Sequence, residues 1–272
     1  MTELLEYAFF RNAVTGITII SIAVAIIGTY IATRRLISIS GGITHACFGG
    51  LGLGYYLGVN PVLMAAAFAV TSSLGVEWLS SRHNVREDSA IAVVWALGMA
   101  IGVLFVFLTP GYVPELNSFL FGNILTISAS DLWAFAVYTV VLVAFFIIFY
   151  DRIVACAFDR DFARVSHLPV RFISYSMTVL VAVCIVLTIR MVGIMLLMSM
   201  LSLPQMIAEI YCRQFRSMTI ASIGISLVCC LSGLMLATVI DVPCSAIIVI
   251  LLVTIYIAAR TTKAVTRRQP MQ

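Results

Sequence analysis

The sequence predicts an all-α integral membrane protein, built as a bundle of about eight to nine transmembrane helices. Composition is the first reason, because 62% of the 272 residues are hydrophobic and only 10% are charged, whereas a soluble domain carries about 25% charged residues. The second reason is a series of long apolar runs, each near the roughly 20 residues that a spanning helix needs. The chain should therefore cross a bilayer many times.

Nine segments fit this requirement, and together they predict a single transmembrane domain over residues 1–272. Five of them are 13–33, 90–108, 132–150, 172–189 and 217–240, and none of these five contains a charged residue. Four further segments, 39–58, 61–79, 191–208 and 242–259, complete the set.

Basic residues predict the orientation of the bundle, because loops rich in Arg and Lys stay in the cytoplasm. They concentrate in alternate connections, after the first, third, fifth and seventh segments and again in a C-terminal tail at 260–272. The N-terminus should lie outside and the tail inside. This bias also explains the net charge of +4, so the charge gives no reason to expect a nucleic-acid partner.

A histidine lies among glycines in the second segment, Ser40-Gly-Gly-Ile-Thr-His45-Ala-Cys-Phe-Gly-Gly. An ionisable side chain at membrane depth is costly and usually marks an ion or substrate path. The alternative is a histidine that is only hydrogen-bonded between helices. Gly50, Gly54 and Gly58 recur every four residues, which predicts close helix packing.

Motifs of enzymes are missing from the sequence. The single lysine, Lys263, follows no glycine-rich phosphate-binding pattern, so the chain has no P-loop of its own. No metalloprotease or serine-hydrolase motif occurs, and the seven cysteines lack the spacing of a disulfide framework or a zinc knuckle. We therefore expect a transport protein without enzymatic activity and without a permanently bound cofactor.

The longest polar interval, residues 151–171, is expected on the cytoplasmic side. Apolar residues recur there at helical spacing, and the charges alternate in sign as in a short amphipathic helix with one face against a partner. The alternating charges are Asp159, Arg160, Asp161 and Arg164. Phe158 and Phe162 flank the acidic pair and are the expected anchors of the contact. The alternative is a solvated loop with a surface helix.

Six motifs follow one another in an order that resembles the permease subunits of metal-ion ABC importers, the ABC-3 type family for zinc and manganese. They are Arg34-Arg35, the His45 segment, Gly58-Val-Asn-Pro61, Phe119-Leu-Phe-Gly-Asn-Ile-Leu125 with Asp131, Val192 through Pro204, and Ile240-Asp-Val-Pro243. The resemblance covers nearly the whole chain.

This resemblance implies an importer permease fold in the bacterial inner membrane, surrounded by lipid. It implies three protein partners, a second copy of the chain, a cytoplasmic ABC ATPase and an extracytoplasmic metal-binding protein. The transported Zn or Mn ion would be cargo, moved by alternating access. Residues 151–171 would then couple the permease to the ATPase through Phe158, Asp159, Asp161, Phe162 and Arg164.

Candidate metal ligands are His45, Asp241 and Glu209. Imidazole suits zinc, and carboxylates suit harder ions such as manganese. We expect His45 and Asp241 in the outer half of the bundle, although Asp241 can equally be a helix-capping residue. Many relatives carry Asp where this chain has Gly41, and small residues where Glu209 stands, so Glu209 can supply a carboxylate elsewhere on the path.

Two alternative functions follow from the same residues. An iron-chelate ABC permease would need a wide cavity instead of an ion-sized one. A gradient-driven secondary transporter would need an inverted repeat and coupling carboxylates inside the membrane.

Overall fold

A computed structural model describes residues 7–83, 85–110, 122, 124 and 127–268. In this part of the chain every regular element longer than one turn is an α-helix. The helices are α1 (Ala8–Thr33), α2 (Ile37–Leu57), α3 (Pro61–His83), α4 (Glu87–Leu108), α5 (Ala129–Ile148), α6 (Tyr150–Phe158), α7 (Arg160–Val165), α8 (Val170–Val192), α9 (Ile194–Tyr211), α10 (Phe215–Ile240) and α11 (Cys244–Arg268).

Each of the nine predicted segments coincides with a helix, α1 to α5 and α8 to α11. Eight of these helices are long and apolar enough to cross a membrane. The exception is α2, whose glycines and polar residues lower its hydropathy, but most of its residues are buried inside the protein. A helix that contacts other helices needs less apolar surface than one that faces lipid.

The core of the bundle is formed by α1, α8 and α9, in which more than half of the spanning window is buried. By contrast, α4 and α11 are largely exposed along their length. Many of their exposed side chains are apolar, as lipid-facing surfaces require; examples are Val93, Leu97 and Val103 of α4 and Ile250, Val253 and Ile257 of α11. The chain is therefore a multi-pass membrane protein, as its composition predicts.

A single glycine joins α8 to α9. Gly193 has φ 82° and ψ 169°, a backbone conformation that essentially only glycine adopts. It allows two long helices to follow one another with no intervening loop. Near this turn, Arg190 pairs with Asp131 at the start of α5, with 2.9 Å between Nε and Oδ1.

The predicted C-terminal tail differs from the structure. Instead of ending near Ala259, α11 continues through residue 268, and the Lys263 ammonium group donates to the backbone carbonyl oxygen of Ile210 at the end of α9. The basic residues of this region thus extend a helix beyond the apolar span. Residues 269–272 lie outside the described part of the chain.

Candidate functional site

Glycines bring the backbone of α2 unusually close to those of α3 and α4. A Cβ atom added at Gly50 would lie 2.4 Å from the backbone oxygen of Met64, and one at Gly54 would lie 2.7 Å from Cα of Pro61. On the opposite side, a Cβ at Gly98 of α4 would lie 2.5 Å from Cα of Ala46. Backbone atoms cannot move aside as a flexible side chain can. At these glycine contacts there is therefore no room for a side chain, and α2 is held tightly between α3 and α4.

Gly58 has a different place from the other two glycines of its series. It is the C-cap of α2 with φ 66°, and a Cβ added there would meet nothing within 4 Å. A left-handed residue of this kind commonly ends a helix and is usually glycine. Gly58 therefore ends α2 and does not bring two helices together.

His45 lies on the side of α2 that faces α4. Its ring stacks on the indole of Trp95, with centroids 4.8 Å apart and an angle of 4° between the planes. The Nδ1 atom is buried and has no hydrogen-bond partner among the described residues. A lone pair or N–H that is buried without a partner is costly, so His45 has unused capacity to bind a ligand.

The position of Gly41, one turn before His45, is close to α9. A Cβ atom at Gly41 would lie 3.0 Å from Cε of Met198. The methionine end is flexible, and a small displacement would make room for a side chain. Gly41 and His45 are four residues apart and thus on one face of α2.

Asp241 lies at the opposite end of the bundle from the arginine-rich connections. It is the exposed C-cap of α10, with φ 59° and ψ 51°, and it lines a cavity of about 600 Å³ together with Phe9, Phe10 and Pro243. His45, in contrast, lies eight residues into α2 and twelve before its end, about 12 Å and 18 Å along the axis. Within α2, His45 is thus nearer the end that follows Arg34 and Arg35 than the end at Leu57.

Glu209 is exposed near the C-terminal end of α9. It lines a cavity of about 640 Å³ that also contains Arg34, Arg213 and Phe158. On its other side it faces a second cavity with Arg260 and Lys263. Glu209 is therefore surrounded by basic side chains.

The three candidate ligands thus lie at three levels of the bundle. Within the described residues, no group of three or more His, Cys, Asp or Glu side chains is arranged to hold a metal ion. A closed site of three or four protein ligands would also hold the ion too tightly for transport.

The predicted docking interval consists of two short helices. At the break between them, the Asp159 side chain caps α7 by accepting hydrogen bonds from the backbone N–H groups of Asp161 and Phe162, at 2.9 and 3.0 Å. Arg164 forms an exposed ion pair with Asp161, with 3.2 Å between Nη1 and Oδ1. The sequence predicts one amphipathic helix here, and the cap explains why there are two.

The apolar face of the interval is divided between the interior and the surface. Ile153 and Ala157 are buried in the protein's own core, so they cannot contact a partner as the periodicity suggests. Phe158 and Phe162 are each 63% exposed. Their rings are free to serve as anchors for another protein.

A cluster of four charged residues lies beneath α7, and sequence reasoning missed it. Arg160 of α7 binds Glu77 of α3 at 3.0 Å and Glu87 of α4 at 2.6 Å. Arg34, at the end of α1, binds the same Glu87 oxygen at 2.8 Å and lies 3.8 Å from Glu77. The side chains of Arg34 and Glu77 are less than 10% exposed.

Electrostatic interactions favour the charged form of Arg34 in this cluster. Burial alone would disfavour the charged guanidinium of Arg34, but Tyr30, Glu87 and Glu77 outweigh it and hold the pKa of Arg34 above its usual value. Two arginines face two glutamates, so the cluster carries no net charge. Such pairing is the condition under which charges are tolerated in a protein interior.

One sequence signal pointed to this cluster. Glu77 interrupts an otherwise uncharged apolar segment, and an acidic residue at such a place requires a basic partner. Its partner Arg160 is more than eighty residues away, so no local pattern identifies the pair.

The motif 119–125 lies largely outside the described residues.

Comparisons with known proteins identify the class of membrane protein to which this bundle belongs. The ABC 3 transport family matches residues 6–263, which is nearly the whole chain. The chain belongs to the ABC 3 transport family. The predicted resemblance is thereby confirmed, and the protein is a membrane subunit for transport, not an enzyme.

Relatives and a solved structure extend this result. A "Probable metal transport system membrane protein" of Chlamydia pneumoniae is 33% identical over 249 residues, covering 89% of this chain and 85% of the relative. The "Manganese transport system membrane protein MntC" of Listeria monocytogenes is 25% identical over 256 residues, covering 94% and 91%. The structure of PsaBC from Streptococcus pneumoniae in complex with Fab superposes with a TM-score of 0.82 at 22% identity, covering 95% of this chain and 93% of that chain. This last similarity confirms the fold.

Proposed function

We propose that this chain is the permease subunit of a bacterial ABC importer for a divalent metal ion, zinc or manganese. The observation that carries the proposal is His45, a half-buried imidazole inside a helix of a transport-family protein. Its Nδ1 has no hydrogen-bond partner among the residues that the structure describes. The names of the relatives from Chlamydia pneumoniae and Listeria monocytogenes support a metal as the cargo. Imidazole and carboxylate ligands suit both ions.

The three candidate ligands would act in succession along the path. Asp241 would receive the ion at the outer cavity, His45 would bind it within the bundle, and Glu209 would lie where the ion leaves. One or two ligands at each level bind an ion weakly enough to release it. A metal-binding protein outside the cell would deliver the ion near Asp241.

An ATPase partner is favoured over an ion gradient as the source of energy. Each acidic residue of the described helices lies within about two turns of a helix end, and Glu77 and Glu87 are already paired with arginines. A secondary transporter would use carboxylates near the middle of the membrane. The exposed Phe158 and Phe162 provide a surface for a cytoplasmic ATPase instead.

We also propose that two copies of the chain form the transport unit. The long exposed face of α4 is apolar, with Val93, Leu97 and Val103 each more than half exposed. Part of such a surface would contact the second copy and the rest would contact lipid. Alternating access would then be a change in how the two copies meet.

Reconstitution tests the function directly. Proteoliposomes containing this chain and its ATPase should accumulate radioactive zinc or manganese only when ATP and the metal-binding protein are both present. Competition between the two metals at equal concentration would identify the preferred ion. Accumulation driven by a proton or sodium gradient without ATP would contradict the proposal.

A further inference from the structure

The first observation concerns how α7 is attached to the rest of the protein. Its only buried residue is Ala163, and Phe162 and Val165 are exposed. The side chain of Arg160, by contrast, extends inward to three other helices. It binds Glu77 of α3, Glu87 of α4 and, at 3.4 Å, Ser174 of α8. Arg160 is thus the main polar connection between α7 and the transmembrane helices.

The second observation concerns where this connection leads. Glu87 lies in the first turn of α4, the helix whose Trp95 stacks on His45. The same α4 packs against α2 through glycine contacts that leave no space for slippage, with a Cβ at Gly102 lying 2.5 Å from the backbone oxygen of Phe48. A displacement of Glu87 along the axis of α4 would therefore reach α2 and His45 through rigid contacts.

The third observation is that the two arginines share one acceptor. Oε1 of Glu87 lies 2.6 Å from Arg160 and 2.8 Å from Arg34. Arg34 belongs to the junction of α1 and α2, and Arg160 belongs to the cytoplasmic segment. A carboxylate held between two guanidinium groups on different elements can shift toward either group. Because the site is poorly solvated, the electrostatic attraction between the charges stays strong during such a shift.

We infer that Arg160 is a positioning residue that transmits movement of a docked ATPase from α7 to α3 and α4. The inference rests on the proposed function, because it takes the segment α6–α7 as the site where the ATPase binds. It goes further in naming the residue and the two acceptors, Glu77 and Glu87, through which that binding reaches the helices beside His45. Phe158 and Phe162 would hold the ATPase, and Arg160 would carry the motion.

The test compares Arg160→Gln with a control substitution of the same type, Arg11→Gln. Arg11 is exposed on α1, near the end of the bundle where Asp241 lies, and belongs neither to the buried cluster nor to the segment α6–α7. Each variant is purified in complex with the co-expressed ATPase, and amide hydrogen exchange of α3 and α4 is measured with and without ATP. Basal ATP hydrolysis and hydrolysis stimulated by zinc or manganese with the metal-binding protein are measured on the same samples.

We expect the wild-type complex and Arg11→Gln to show an ATP-dependent change in exchange at the start of α4. Arg160→Gln should keep the ATPase and its basal hydrolysis, lose the ATP-dependent change, and reduce stimulated hydrolysis at least tenfold. If Arg160 only anchors α7, Arg160→Gln would raise hydrogen exchange equally with and without ATP and leave the ATP-dependent difference unchanged. An unchanged difference would overturn the inference.

A second variant guards against loss of folding. Removing Arg160 alone leaves excess negative charge in the cluster, which is strongly destabilising at buried sites. Arg160→Gln combined with Glu87→Gln restores neutrality and leaves Arg34 with Glu77. If this double variant retains the ATP-dependent change in α4, the inference is wrong, and if it folds but loses the change, the inference stands.

Failure of the two proposals can be told apart. Absence of metal stimulation in the wild-type complex, with the ATP-dependent exchange change present, would count against the metal-import function and leave Arg160's role intact. Absence of any ATP-dependent change in α3 and α4 of the wild-type complex would overturn the role of Arg160.

Discussion

The imidazole of His45 lies flat on the indole of Trp95, with 4.8 Å between the ring centroids and 4° between their planes. The stack fixes the histidine ring from one side, and the buried Nδ1 has no hydrogen-bond partner in the part of the chain that the structure describes. Trp95 itself is 43% exposed on the outer surface of α4. The pair therefore connects the interior of α2 to the surface on which a second copy would pack.

His45→Ala should reduce metal uptake at least tenfold with unchanged expression, because the variant removes the imidazole while α2 remains held by its glycines. Uptake of radioactive zinc and manganese into proteoliposomes measures the effect. The matched control is His167→Asn, since His167 is exposed in a cytoplasmic turn with φ 54°, a conformation that Asn tolerates. Wild-type uptake by His45→Ala would mean that the histidine only packs against Trp95.

Gly41→Asp should alter the metal preference. The new carboxylate would lie one turn from His45 on the same face of α2, and only the flexible end of Met198 must move to admit it. A carboxylate favours hard ions, so the ratio of manganese to zinc transported in a competition assay should rise severalfold. Gly41→Asn has the same size without the charge and should leave the ratio near that of the wild type; an equal rise in both variants would attribute the effect to shape.

Gly50→Ala and Gly75→Ala should have opposite effects on stability, although both add one methyl group to a helix. At Gly50 the methyl would meet backbone atoms of α3 at 2.4 to 2.8 Å, whereas at Gly75 it would meet nothing within 4 Å. Overpacking costs about 1–3 kcal/mol, and replacing an exposed helical glycine by alanine gains up to about 1 kcal/mol. Thermal unfolding in detergent should show a lower midpoint for Gly50→Ala and an equal or higher one for Gly75→Ala. A lowered midpoint in both would indicate that glycine flexibility matters at either site.

Much of this architecture could be predicted from the sequence because a bilayer imposes strong local constraints. The length of each apolar run and the alternation of basic connections depend on neighbouring residues only, and the nine helical segments follow from the apolar runs. The left-handed conformation of Gly193, which allows α8 and α9 to adjoin, is likewise a local matter once both spans are recognised.

The buried cluster of charged residues and the positions of the candidate metal ligands along the bundle depend on tertiary contacts, so they could not be predicted from the sequence. In the sequence, Arg160 is one of several charges of alternating sign on a helix expected to face solvent. Only the folded structure brings Arg160 into contact with Glu77 and Glu87. Ile153 has the period of a docking face, but the fold turns it inward. Gly58 has the spacing of a packing residue, yet the chain ends α2 there. Spacing along the chain indicates which residues share a face, and it cannot indicate what that face meets.

Phe158→Ala and Phe162→Ala should each weaken association with the ATPase, because exposed aromatic anchors commonly contribute 2 kcal/mol or more, roughly thirtyfold in affinity. Both rings are 63% exposed beside the cap formed by Asp159, so their removal leaves the fold of α7 intact. Co-purification and the dissociation constant of the ATPase measure the loss. The matched control is Phe107→Ala, which removes a ring that is 88% exposed near the other end of the bundle. If both variants bound the ATPase with wild-type affinity and retained metal-stimulated hydrolysis, α6 and α7 would be a solvated surface segment, and the partner would have to bind another cytoplasmic connection, such as the one from Arg213 to Arg216.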